Sequence, residues 1–452
     1  MFLITDYGAR PEEGFLNTAV IQAAIDACHA AGGGTVVVPP GKFTTGTIWL
    51  KSNVELHLEH SAILQASTDL GDYNPLDAYP QNYSFPPEEW LGHHLIIGVG
   101  IENVAVTGSG RIDGNGSFFF EKNTYTAEDE EIPDPPDRTG IQWRGTISWR
   151  HGFCLARDKK LLRPGQMIVF VECRNILVEN VTVTDSPCWT LFFHGCELVR
   201  ISGIQIRNAD CHANTDGIDL DCCRNVVVNN CLIRTGDDCL TLRACGKHLK
   251  NTAGICENIA VSNCVFECQA TGVRVGIGTG VIRNAIFSNI QINSCAVGFH
   301  LQSSYGSATE KGAAISKLRF ENMNVLDAAQ PIVISGGTPY AEASLTDIIF
   351  AHCSFEAFHT LSIGGNGKTV PERIFLDDVE LHVTDGPKWI RYHIPPVNAE
   401  APVYAVEVTG AADVRFRSVR VHWRTSAPWW KGALSVRNVK DFAADETCMF
   451  EK

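Results

Sequence analysis

The densest group of carboxylates in this 452-residue chain is Asn214-Thr215-Asp216-Gly217-Ile218-Asp219-Leu220-Asp221. Thr235-Gly236-Asp237-Asp238-Cys239 follows, with Asp237 lying 21 residues after Asp216. If Asp216, Asp237 and Asp238 converge, their repulsion makes at least one keep its proton, which places an acid beside ionised bases. That equipment suits glycosidic hydrolysis with inversion. One carboxylic acid protonates the leaving oxygen, and an opposed carboxylate about 6.5–9.5 Å away activates water. Two other readings use the same residues: a structural column of Asp and Asn capping turns, and a calcium site, because hard cations gather carboxylates.

For these side chains to meet, the chain must return to one face every coil, and a recurring pattern supplies that return. A polar turn residue, usually Asn, precedes alternating apolar positions, as in Asn53-Val54-Glu55-Leu56 and Asn103-Val104-Ala105-Val106. Fuller copies are Asn175-Ile176-Leu177-Val178-Glu179-Asn180, Asn225-Val226-Val227-Val228-Asn229-Asn230, Asn258-Ile259-Ala260-Val261-Ser262-Asn263 and Asn284-Ala285-Ile286-Phe287-Ser288-Asn289. Weaker ones follow near Leu318, Ile348, Ile374, Val414 and Val439. Self-similarity at roughly 20–50 residues marks a solenoid. Strand-rich units make it a parallel β-helix, with coils about 4.8 Å apart and Val, Ile, Leu and Cys turned inward.

One helix is expected over 17–31, from Val20, Ala24, Ile25 and Cys28 at three- and four-residue steps, with Asn17 capping it and Gly32-Gly33-Gly34 ending it. It would shield the open N-terminal edge of the stack. The fold class is therefore all-β, a parallel β-helix with an N-terminal capping helix, in a single domain over 1–452. Residues 1–50 form the cap and first coil, and 67–96 and 119–164 are loop insertions near the cleft. These insertions carry Tyr73, Tyr79, Tyr83 and Trp90, then Tyr125, Trp143 and Trp149. Such rings either stack on sugars or cover a coil edge. The acidic run at 128–131 reads as a solvated face.

Composition narrows the partners. Lys plus Arg number 37 against 51 Asp plus Glu, a net charge of −14, which argues against nucleic acid and anionic membrane surfaces. No apolar run reaches the roughly 18 residues of a membrane span. The seventeen cysteines are read as reduced, buried small hydrophobes. No leader pattern is visible at Met1–Tyr7, so the expectation is a cytoplasmic protein. No cofactor and no metal are expected, and nothing signals an oligomeric state.

Asn214-Thr215-Asp216-Gly217 and Gly236-Asp237-Asp238-Cys239 resemble two signature motifs of glycoside hydrolase family 28, the polygalacturonases and rhamnogalacturonan hydrolases. Asp6-Tyr7-Gly8-Ala9, Gly32-Gly33-Gly34-Thr35-Val36, Arg163-Pro164, Asn180-Val181-Thr182 and Ser186-Pro187-Cys188-Trp189-Thr190 extend the likeness over most of the chain. The resemblance implies a right-handed β-helix and inversion at the anomeric carbon. It also implies Asp237 as general acid, Asp216 and Asp238 holding and activating water, and Asn214 supporting them by hydrogen bonding.

Two departures bear on substrate. Where polygalacturonases carry Gly-His-Gly, this chain has Ala270-Thr271-Gly272, and where they carry Arg-Ile-Lys it has His300-Leu301-Gln302. Rhamnogalacturonan-type members also lack the histidine. Removing two cations weakens a carboxylate subsite, each charge-assisted bond contributing about 1.5–3 kcal/mol. The sugar there is then either neutral or served by other cations, Arg243 and Arg274 being the candidates. Asn214, Arg243, Arg274, Thr271, His300 and Gln302 form the substrate-binding set.

His194, His212 and His248 are lesser candidates for substrate contact. Trp189 reads as packing, and Trp429-Trp430 as a C-terminal seal or subunit contact. The expectation is an exo-acting inverting hydrolase of a pectin-derived or related oligosaccharide. Its rivals are a lyase or epimerase on the same solenoid, and a non-catalytic carbohydrate-binding β-helix.

Overall fold

The computed structural model describes residues 1–75, 92–122, 154–156, 163–210, 212, 214–246, 249–250, 253–304, 311–339, 341–385 and 402–451. Tyr79, Tyr83, Trp90, Tyr125, Trp143, Trp149, the acidic run and His248 lie outside them. The chain groups into two compact units, one holding Met1–Lys122 and Cys154–Asp237, the other Asp238–Gly246 and Gly254–Lys452. In each, the strands wind as a right-handed parallel β-helix.

In the first unit, one row of strands runs Gly34–Val38, Val54–Leu58, Glu102–Gly108, Arg174–Glu179, Glu197–Ser202 and Arg224–Asn229. Ile176, Val199 and Val226 sit in register along it, at most 1% exposed. A second row, Ile96–Val99, Ile168–Val171, Leu191–His194 and Ile218–Asp221, stacks Phe170 on Phe193 with ring centroids 5.4 Å apart. In the second unit the strands run on through the bends, as in Val281–Gln302 and Ala314–Ser335. There the rings of Phe287, Phe320 and Phe350 stack in sequence at 4.7 and 4.3 Å. Alternate side chains point inward because the strand period is two, so each coil buries its apolar set against the next.

The repeated asparagines have a conformational cause. Asn53, Asn103, Asn175, Asn225, Asn258 and Asn284 all have φ between 54° and 65°, the left-handed region that Asn tolerates better than most residues. Their amides also form columns. Asn175 Nδ2 donates to Asn103 Oδ1 at 2.8 Å, and Asn103 Nδ2 to Asn53 Oδ1 at 2.9 Å. In the second unit Asn322 donates to Asn289 at 2.7 Å, and Asn289 to Asn263 at 3.1 Å.

The helix spans Thr18–Ala30 and buries Ile21, Ala24, Ile25 and Cys28, so Ile21 rather than Val20 faces the core. Asn17 does not cap it through its side chain. That amide is fully buried and instead ties the preceding loop down, accepting from Arg10 N at 2.8 Å and donating to the carbonyls of Arg10, Phe15 and Thr44. Gly33 lies just past the helix at φ 117°, where a Cβ would fall 2.4 Å from Asn53 O. Ahead of the helix, Phe2–Leu3 pairs in parallel with Gly34–Val38 and covers the edge of that strand.

Tyr73 is 6% exposed and donates its hydroxyl to Ser67 O at 2.7 Å, so it covers a coil rather than offering a sugar platform. Trp189 packs with Val169, Val171, Cys188 and Phe192, as the packing reading expects. The described cysteines are free thiols, nearly all buried. Burial pushes Cys353 up to about 12, which keeps it neutral. Among the described residues no helix is long and apolar enough to cross a membrane.

Candidate active site

Asp216 leads into the strand Ile218–Asp221, and hydrogen bonds to the previous coil hold its backbone. Thr190 N donates to Asp216 O at 2.8 Å and Leu191 N to Gly217 O at 3.0 Å. Thr215 Oγ1 donates to His212 O at 2.8 Å and accepts from Gly236 N at 3.1 Å, which clamps the segment before Asp216 to the one before Asp237. Gly236 has no substitute here, since a Cβ would lie 2.1 Å from His212 O. Asn208 braces the same corner, donating to Thr190 Oγ1 and Thr215 O and accepting from Ser186 N.

These supports bring the three acids together. One oxygen from each of Asp216, Asp237 and Asp238 lies within 4.8 Å of the others, and the three residues are only 4–7% exposed. That spacing is tighter than the roughly 6.5–9.5 Å usual between an inverting acid–base pair. It suits two carboxylates that share one water. In such an enclosed setting charges act on one another more strongly than in water.

Asn214 does reach the acids, by a route its side chain does not reveal. With φ at 55°, it turns its backbone N–H onto Asp237 Oδ2 at 3.1 Å. Its side-chain Oδ1 accepts from Arg163 Nη2 at 2.9 Å, while Arg163 Nη1 donates to Pro187 O at 2.6 Å. The Arg163 guanidinium lies 5.1 Å above the Phe120 ring, and Phe120 stacks on His212 at 4.1 Å. Burial holds the His212 imidazole below its usual range, opposed by Asp185 at 3.8 Å and reinforced by Arg163. His212 therefore stays neutral at neutral pH. The sequence placed Arg163 only in the Arg163-Pro164 likeness and gave Phe120 and Asp185 no role, because their partners lie many residues away.

Asp238 is gripped on both oxygens. Arg274 donates to it through Nε and Nη2, and Thr271 N donates to Oδ1 at 2.9 Å. Arg274 Nη2 also reaches Thr271 Oγ1 at 3.0 Å, and its Nη1 lies 3.2 Å from His300 Nδ1. Arg274 is 5% exposed, so Asp238 is the carboxylate it serves in this structure. Arg243, on Leu240–Ala244, is 4% exposed. Gln302 turns its amide back onto Ser304 O at 2.7 Å. The acids are close enough to grip a cation, but the guanidinium already provides Asp238 with a countercharge.

His194 is fully buried and pairs with Asp221 at 3.0 Å, a structural contact within the coil stack.

An exo-poly-alpha-D-galacturonosidase of Dickeya chrysanthemi is 28% identical over 73% of this chain and 56% of its own length. A probable polygalacturonase of Vitis vinifera is 29% identical over 53% of this chain and 44% of its own. The chain thus spans about half the length of these curated relatives. Among solved structures, the Yersinia enterocolitica family 28 exopolygalacturonase superposes with a TM-score of 0.66 at 20% identity, covering 98% of this chain and 77% of that one. A hyperthermoactive exopolygalacturonase from Thermotoga maritima gives 0.60 at 21% identity, covering 99% and 91%. At such identities these two speak for the fold. Residues 28–384 match the model of glycosyl hydrolases family 28, and the chain belongs to that family.

Proposed function

We propose that this protein hydrolyses a glycosidic bond in a pectin-derived or related oligosaccharide, with inversion and from one chain end. The observation that carries the reading is the approach of Asp216, Asp237 and Asp238 to within 4.8 Å. Asp237, as a carboxylic acid, gives its proton to the leaving oxygen as the bond to the anomeric carbon breaks. Asp216 and Asp238 hold a water that attacks that carbon, and Asp216 takes its proton. The balance is one water consumed, with its hydroxyl on the sugar and a proton on the leaving group. Exo action is supported by the likeness to the Dickeya relative, an exo-poly-alpha-D-galacturonosidase.

At the subsite where family members carry two cations, His300 and Gln302 offer an imidazole and an amide, which favours a neutral sugar over galacturonate. The test is incubation with galacturonate oligomers and with rhamnose-, arabinose- and apiose-containing oligosaccharides, following products by NMR and size. A first-formed product of inverted anomeric configuration, released as single end units, is expected. A retained anomer overturns inversion, random-length products overturn exo action, and an unsaturated, ultraviolet-absorbing product transfers the protein to the lyases.

A further inference from the structure

Both ends of the insertion at 119–164 close on the turn that carries Asn214. Phe120, at its start, stacks on His212, and Arg163, at its end, donates to Asn214 Oδ1 at 2.9 Å. The Arg163 guanidinium is 3% exposed and is held from two further directions, by Pro187 O at 2.6 Å and by the Phe120 ring at 5.1 Å. A planar fork seated in this way offers its donors in a fixed direction, so it sets where the Asn214 side chain points.

That side chain in turn selects a backbone conformation. At φ 55°, residue 214 aims its N–H at Asp237 Oδ2, 3.1 Å away. Asparagine tolerates the left-handed region but does not demand it. A tether at Oδ1 supplies the demand, because turning the backbone would swing Oδ1 off the guanidinium. Thr215, pinned through His212 O and Gly236 N, anchors the next residue of the same turn.

We propose that Arg163 is a positioning residue for the general acid, acting through Asn214 to hold the residue-214 N–H against Asp237 Oδ2. The role of Asp237 as that acid rests on the hydrolase reading above. A charged acceptor binds a donor about twice as strongly as a neutral one, so this bond tightens as the carboxyl gives its proton to the leaving oxygen. It contributes more in the transition state than before it, and its loss lowers kcat rather than raising KM. Asp216 and Asp238, within 4.8 Å, oppose ionisation of Asp237, while the N–H and the Arg163 charge beyond it favour it.

Two measurements test this, and the first needs no turnover. In the full chain labelled with ¹⁵N-asparagine, the residue-214 amide is identified by its loss in Asn214→Gly. Arg163→Met should move that signal and speed its hydrogen exchange by at least about tenfold, with the Asn53 and Asn103 amides unmoved. An unchanged residue-214 amide overturns the tether, and so does a change spread equally over the asparagine columns.

The second measurement is kinetic. Arg163→Met and Asn214→Gly, which accepts the positive φ but has no Oδ1, should each lower kcat by about 10–10²-fold with KM little changed. Losing a donor raises the pKa of the acid, which works protonated, so the alkaline limb of kcat should move up by about half a pH unit. Both changes break one tether, so the double variant should match the slower single rather than the product of the two. Arg163→Lys keeps the charge but not the fork, and should fall between parent and Arg163→Met. Multiplying effects, or an unmoved limb with only a lowered Tm, would make Arg163 merely structural. A parent inactive on every glycan sinks the hydrolase reading, whereas an unperturbed residue-214 amide sinks only the tether.

Discussion

The asparagine columns and the acidic cluster are both polar side chains stacked coil on coil, yet they obey opposite rules. Along Asn53, Asn103 and Asn175 each amide is both donor and acceptor, so the column satisfies itself at 2.8–2.9 Å and can be repeated at will. At Asp216, Asp237 and Asp238, groups that repel one another are held within 4.8 Å, and a guanidinium, a backbone N–H and a braced turn are needed to keep them there. Repetition with complementarity marks scaffold. A single cluster of like charges, held by dedicated partners, marks chemistry.

The largest effect should come from the acids. Asp237→Asn is expected to lower kcat by about 10⁴-fold while leaving Tm within a few degrees, measured on the best oligosaccharide from the substrate screen. A variant of parental activity would move the cluster to the scaffold side of the comparison.

Next comes the aromatic stack. Phe320→Ala opens a cavity between Phe287 and Phe350 and should cost about 3–5 kcal/mol in denaturant unfolding, with activity per folded molecule retained. Loss of turnover without loss of stability would blur the distinction.

Acid should then tell the two regions apart. His359 is buried, accepts from Thr360 N at 2.7 Å, and is held down to about 4 by burial. The folded state thus resists the proton that the unfolded chain binds below about 6.5, so stability is present above that pH and falls as pH drops towards 4. From pH 7 to 5 the loss should be about 2 kcal/mol, and His359→Gln should remove that portion. Activity that still falls off equally in this variant then belongs to the carboxylates rather than to the scaffold.

The smallest effect belongs to the amide column. Asn103→Ala is expected to lose about 1–2 kcal/mol from its positive φ and its two amide bonds, and Asn103→Gly less, with kcat unmoved in both. Equal losses for Ala and Gly would show that hydrogen bonds, rather than backbone conformation, explain the repeated asparagine.

Much of this contrast was legible before any coordinates. Asparagine before alternating apolar residues is a local code: one residue that tolerates positive φ, then a period of two. The carboxylates stood out because Asp216 and Asp237 lie about one coil apart. Asn17 misled, because a residue type suited to capping can also serve as a buried tie, and only the packing of residues 10–17 selects between the two. Arg163 and Asn214 are 51 residues apart and Arg274 and Asp238 are 36 apart, with coil lengths that vary between them.

Sequence by itself therefore determined the solenoid, its inward faces, its turn residues and which acids could meet, since each depends on neighbours along the strand or on one coil of spacing. Tertiary structure alone decided which partner each acid keeps: Arg274 on Asp238, the Asn214 N–H on Asp237. The physical reason is register. Loops of unequal length set how one coil aligns with the next, and a shift of one residue would turn Arg274 to the opposite face of its strand.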